Sequence, residues 1–328
     1  MQEDTPDAPT RSAVDDQLSL VFACCHPALA MEARVALTLR SVGGLTTAEI
    51  AKAFLVGERT MVQRLFRARR KIRDAAIPFR VPTADQLPER VEGVLAVLYL
   101  IFNEGYRATS GTDVVRTDLA EEAIWLTTQL HELLPHESEV GALLSLMHLH
   151  DARSATRADR DGNIVPLDEQ DRSQWDRARI RAAAAEIDES AGGRYRLEAM
   201  IAALHATAPS VNGTDWDGIV RCYDELLLIA PTPIVALNRA VAIGMARGPD
   251  AGLRALDALD GDTLAGYPWL AAARADMQRR LGHLPEATHS YRQALEVATN
   301  EADRRFLSRR LRELSESTVR GDGKQPRG

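Results

Sequence analysis

Apolar residues along this chain recur at helical rather than strand spacing. Met61, Leu65, Ala68 and Ile72 follow at steps of four, three and four, which predicts one buried stripe on a helix from about Glu58 to Arg73. Residues Arg90 to Phe102 are almost continuously apolar and predict a buried helix ending in a polar NEGY turn. Leu119 to Leu134 and Val140 to Asp151 carry apolar positions at helical spacing and, joined by Pro135, predict an antiparallel pair. Alternating β-branched runs are scarce, so the fold class expected is all-α.

Punctuation divides these elements. Pro78 and Pro82 break the helical pattern and predict a linker with a domain boundary near residue 82. Residues 156–174 form the longest stretch without a pattern, and loops of that length in compact domains are commonly functional. From about residue 215 the chain repeats. Ile219/Tyr223/Leu226, Gly252/Leu256/Leu259 and Ala287/Tyr291/Ala294 share one register, with Tyr223, Leu256 and Tyr291 separated by 33 and 35 residues. That spacing is close to the helix-turn-helix period of tetratricopeptide (TPR) repeats, whose units stack because none buries its apolar face alone. Residues 301–314 are expected to cap the array and expose Arg304, Arg305, Arg309, Arg310 and Arg312.

The densest chemistry lies before the linker. Thr46 and Glu49 have capping-box spacing, and Ala48, Ile50, Ala51 and Phe54 supply the small and apolar surface on which a second helix can cross. Gly57, in the Leu55-Val56-Gly57 connection, suits a tight turn. A helix-turn-helix is predicted. Its second helix presents Arg59, Val62, Gln63, Phe66, Arg67 and Arg70 opposite the buried stripe. Residues 46–80 hold nine Lys/Arg against three acids, a balance of +6 in a chain of net charge −7. An acidic protein repels DNA except where it concentrates cations, so this segment is the expected footprint. Glu58, Arg59, Thr60 and Gln63 are placed to reach base edges, and Arg64, Arg67, Arg70 and Lys71 to hold phosphates.

The segment TTAEIAKAFLVGERTMVQRLFRARRKIRD resembles region 4, the −35 promoter-reading module of bacterial extracytoplasmic-function (ECF) sigma factors, with Thr60, Arg64, Leu65, Arg67, Ala68 and Arg69 matching its T-x-x-x-R-L-x-R-A-R run. DDQLSLVFACCHPALAMEARVALTLRSVGGL upstream, and YLIFNEGY, DGNIVPLDEQDRSQWDR and PTPIVALNRAVA downstream, are similar to an ECF subgroup with a long TPR-like extension. The resemblance implies promoter DNA and core RNA polymerase as partners, with the extension modulating activity without a separate anti-sigma protein. It also implies a region 2 that grips polymerase and melts promoter, for which residues 1–14 are too short and polar. Region 2 is therefore expected to be missing, through truncation or because the protein works without melting DNA itself. The expected organisation is a disordered stub (1–14), a region 4-like domain (15–80), a helical extension with the long loop (81–214), TPR-like repeats (215–315) and a flexible tail (316–328).

Other chemistry is sparse. Cys24, Cys25 and Cys222 give no disulfide framework and suit a reducing compartment. Cys24-Cys25-His26 lacks a second ligand pair, His148 and His150 do not share a helix face, and residues 158–171 lack the calcium-loop pattern, so no metal is expected. In the long loop, Asp168, Glu169, Asp171, Arg172 and Trp175 read either as contacts for a partner or as pins to neighbouring helices. No phosphate loop, nucleophile elbow or zinc-protease motif is present, so neither catalysis nor a cofactor is expected. No run approaches the roughly 18 apolar residues of a membrane helix, and there is no charged-then-apolar leader, so a cytoplasmic protein without membrane contact is expected. Two other functions fit the same features: a stand-alone helix-turn-helix regulator, and a scaffold whose TPR-like face binds a peptide or protein while its basic helix is vestigial.

Overall fold

The computed structural model describes residues 11–54, 56–106, 117–161, 163–188, 192–259 and 263–322. Among these the regular structure is α-helical, with two short 3-10 turns and one isolated β-bridge. The described residues fall into two compact units, 11–147 and 148–322.

The first unit contains α1 (Arg11–Cys24), α2 (Met31–Ser41), α3 (Thr47–Ala53), α4 (Glu58–Asp74), α5 (Leu87–Tyr106), α6 (Thr117–Leu133) and most of α7 (Ser138–Asp151). Its centre is α2, which packs on α1, α3, α4 and α5. Phe22, Leu37, Leu39, Ile50, Met61, Leu95, Ile101 and Phe102 fill the core. Packing here bears on three of the expectations. The prolines at 78 and 82 end a helix but not the unit, because α5 is apolar on more than one side and packs on α1, α2 and α6. Arg90 fastens it there, donating to the Phe22 carbonyl at 2.5 Å with its guanidinium over the Phe22 ring. The NEGY segment is the last turn of α5, with Gly105 buried and Phe102 and Tyr106 stacked at 5.3 Å. The principal partner of α6 is α5, whereas α7 meets α6 through Met147 against Thr127 and through Gly141, which leaves room for the His131 ring.

The second unit contains α8 (Arg177–Ala185), α9 (Arg194–Thr207), α10 (Trp216–Ile229), α11 (Pro233–Arg247), α12 (Pro249–Asp257), α13 (Pro268–Arg280), α14 (Leu284–Val297) and α15 (Glu301–Asp322), each packed on the next. The repeat register falls on α10, α12 and α14, the first helix of each successive pair, where Ile219, Leu226, Leu256, Ala287, Tyr291 and Ala294 are buried and Tyr223 is half-buried. Gly244 on α11 and Gly252 on α12 bring two backbones together: a Cβ on Gly252 would lie 2.8 Å from the Gly244 Cα.

The long loop is ordered rather than structureless. Turns at Ser154–Thr156 and Arg172–Gln174 flank a tight return in which Asp159 donates to the Asn163 carbonyl at 3.0 Å and Val165 to the Arg157 carbonyl at 2.9 Å. At the ends, α1 begins at Arg11, inside the expected stub, and α15 runs to Asp322, inside the expected tail. Residues 1–10 and 323–328 of those two segments lie outside the described residues.

Candidate nucleic-acid interface

The helix-turn-helix is built as its capping box requires. The Glu49 amide donates to Thr46 Oγ1 at 3.2 Å, and Thr46 N returns a bond to Glu49 Oε2 at 2.7 Å. The Thr46 hydroxyl also donates to Glu49 Oε2 at 2.7 Å, and this bond first, then that of the Thr46 backbone amide, lowers the pKa of Glu49. Ile50 and Ala51 are buried and Phe54 is half-buried, but Ala48 faces solvent and adds nothing to the crossing. Leu55 lies outside the described residues. Gly57 caps α4 at φ −65° with open space where a Cβ would stand, so the turn does not use its conformational freedom. Met61, Leu65 and Ala68 form the buried stripe and Ile72 is half-buried at its end.

The rest of α4 divides into two rows. Thr60, Gln63, Arg64, Arg67 and Lys71 line a cleft of about 530 Å³ whose other wall is the Ala28–Ala30 turn with Glu32 and Ala33 of α2. Arg59, Gln63, Phe66 and Arg70 follow at four, three and four and form the second row. Glu58, Arg59, Thr60, Gln63, Arg67, Arg70 and Lys71 are all exposed. Arg64 is not: it is half-buried, with its guanidinium 5.6 Å from the centre of the Phe54 ring. Arg70 pairs with Asp74 one turn on at 3.2 Å, an exposed contact that leaves its charge available. Val62 and Phe66 are 51% and 62% exposed among these polar groups, apolar surface that the sequence reading placed on this face but not in the site.

Comparison with known proteins fits this geometry. Residues 19–72, from within α1 to the end of the arginine rows on α4, match sigma-70 region 4. Residues 90–191 match a family of unknown function, DUF6596. An uncharacterized protein of Rhizobium meliloti (strain 1021) is 40% identical over 305 residues, covering 92% of this chain and 72% of the relative. The chain belongs to the family of that rhizobial protein. Its helix-turn-helix is a region 4 domain, and the protein is sigma-factor-like, with the DNA-binding role of that domain.

Outside the region 4 domain, the loop residues act as pins. Trp175 is buried, its indole donating to Thr156 Oγ1 at 2.9 Å, with Arg172 over the ring at 4.5 Å. Arg172 donates to the carbonyls of His205 and Ala208 at the end of α9, and Asp171 accepts from Ser173 and Gln174. Asp168 is exposed, and Glu169 pairs with Arg309 and Arg310 of α15. The expected display of arginines on α15 is thus reduced: Arg304 and Arg312 are exposed, whereas Arg305, Arg309 and Arg310 are partly buried.

The cysteines are packing groups. Burial raises the Cys24 pKa to about 11 and that of Cys25 to about 12, and Cys25 Sγ lies 3.4 Å from Thr38 Oγ1, so both are thiols at neutral pH. Among the described residues no group of three His, Cys, Asp or Glu could hold a metal ion, and no helix is long and apolar enough to cross a membrane.

Proposed function

We propose that this protein is a transcription-initiation regulator of the ECF sigma type, which binds a promoter −35 element through α4 and docks on core RNA polymerase. The second unit is a TPR-like array that receives partners and modulates this activity. The observation that carries the reading is the pair of exposed rows on α4. In the first, Arg67, Lys71 and the tethered Arg64 hold phosphates; in the second, Arg59 and Gln63, with Glu58 and Thr60 at the helix start, reach base edges. Arg70 holds a phosphate from the second row.

The experiment is selection of bound duplexes from a random DNA library, followed by co-purification of the chain with core RNA polymerase and transcription from a template carrying the selected sequence. Recovery of one motif, together with polymerase in the complex, supports the full proposal. A motif without polymerase reduces the protein to a stand-alone helix-turn-helix regulator. Failure of both leaves a protein-interaction scaffold. Within the site, Gln63→Ala relaxes the selected motif, whereas Arg67→Ala weakens all duplexes alike. Equal effects from the two would overturn the division between rows.

A further inference from the structure

The second unit carries an ion pair that repeats with the fold. Asp224 on α10 meets Arg239 on α11 at 2.5 Å, and the next helix pair repeats the contact with Asp257 on α12 and Arg274 on α13. The acids are 33 residues apart and the arginines 35, the spacing of the buried register itself. One step further the arginine recurs as Arg309 on α15, but the position of the acid, next to Tyr291, holds Arg292. The third helix pair thus has a cation where the first two have a carboxylate.

The long loop fills that place. Glu169 reaches Arg309 at 3.3 Å and Arg310 at 2.6 Å, while Glu313 of α15 shares the two guanidiniums at 3.8 and 2.9 Å. Arg309 also donates to the Ile164 carbonyl and Arg305 to Asn163 Oδ1. One face of α15 therefore already seats a peptide segment, by guanidinium bonds to a carboxylate, a backbone carbonyl and a side-chain amide. Of the three, the carboxylate is the acceptor that the planar guanidinium fork matches best.

Beside the seated segment α15 leaves a cleft of about 370 Å³, with Asn163 on its rim. Arg304, Arg305, Arg309 and Arg312 line it against one acid, Glu301. Arg304 is partly committed, donating to the carbonyls of Leu295 and Ala298 at the end of α14, whereas Arg312 is exposed. We propose that this cleft binds an acidic peptide segment of a partner protein, which lies alongside residues 163–169 and is held by Arg305, Arg309 and Arg312. Charge complementarity favours it, because the cleft concentrates cations in a chain of net charge −7. A peptide fits better than nucleic acid, because residues 163–169 already present peptide acceptors to these arginines: the Glu169 carboxylate, the Ile164 carbonyl and the Asn163 side-chain amide. The proposal rests on the reading of the array as the part that receives partners, and not on the DNA reading of α4.

The test is fluorescence anisotropy of a labelled hexaglutamate peptide with the full chain at about 150 mM salt, where attraction beyond about 8 Å is screened. The chain is expected to bind the peptide, and Arg305→Glu/Arg312→Glu to weaken it about tenfold. Arg312→Glu alone, at an exposed position that the fold does not need, gives a smaller loss in the same direction. Arg67→Glu/Lys71→Glu on α4 leaves peptide affinity unchanged, and matched thermal midpoints show that all variants fold. The proposal is overturned if the chain does not bind the peptide, or if the α4 variant loses it equally. It is overturned too if the α15 reversal weakens a DNA duplex rather than the peptide. Peptide binding that survives both reversals removes the cleft but keeps the array as a partner-binding module.

Discussion

His205 is half-buried, in edge contact with Trp216 at 5.0 Å, and its pKa falls from the ordinary 6.5 to about 4, chiefly through desolvation and then through the charges of Arg153 and Arg172. The unfolded chain therefore binds a proton in a range where the native ring stays neutral, and stability rises with pH across that range. The second unit should be fully stable above about pH 6.5 and lose roughly 3 kcal/mol as the pH falls to about 4. His150, half-buried beside Arg153, shifts in the same direction and deepens the loss. Urea midpoints measured against pH check this, and His205→Gln should flatten part of the slope; an unchanged slope would place the titration elsewhere. The sequence shows that His148 and His150 do not face one point, which argues against a metal. It does not show that His205 packs among cations, because Arg153, Arg172 and Trp216 reach it from three separate segments.

Helices are legible where one short-range rule decides them. The stripe on α4 follows from spacing, and the start of α3 from the Thr46–Glu49 pair; Thr46→Ala should cost about 1 kcal/mol in denaturant unfolding of the first unit. Two glycines show where such rules stop. Gly57 stands in open space at an ordinary φ, so Gly57→Ser should be neutral or stabilising by a few tenths of a kcal/mol, since serine caps a helix slightly better than glycine. Gly252 looks no different in sequence, yet a Cβ there meets the backbone of Gly244 at 2.8 Å, and Gly252→Ala should destabilise the second unit by about 1–3 kcal/mol. Chemical denaturation of the two variants side by side measures both. The boundary expected near residue 82 meets the same limit. Prolines report where a helix ends, whereas the extent of a unit depends on which faces α5 buries, and its partners α1 and α2 lie far back in the chain.

Across the whole molecule the decisive property is how charge is distributed. Residues 46–80 carry +6 in a chain of −7, which leaves −13 for everything else, so DNA attracted to this protein is attracted to one place. If α4 engages about five phosphates, affinity should fall by two to three powers of ten between about 50 and 200 mM salt. Each arginine that holds a phosphate should account for about one unit of that slope. Arg67 is the residue on which to test this, because it is exposed and lines the cleft, whereas Arg64 also packs on Phe54 and its loss would disturb the turn. Arg67→Ala should lower the slope by about one without changing which sequence is preferred, as measured by duplex anisotropy over a salt series. A slope unchanged in Arg67→Ala but reduced in Arg312→Ala would move the nucleic-acid surface from α4 to α15. The repulsion from the remaining −13 would then have to be overcome in the second unit, where carboxylates flank the arginines, and binding would be weaker for each phosphate engaged.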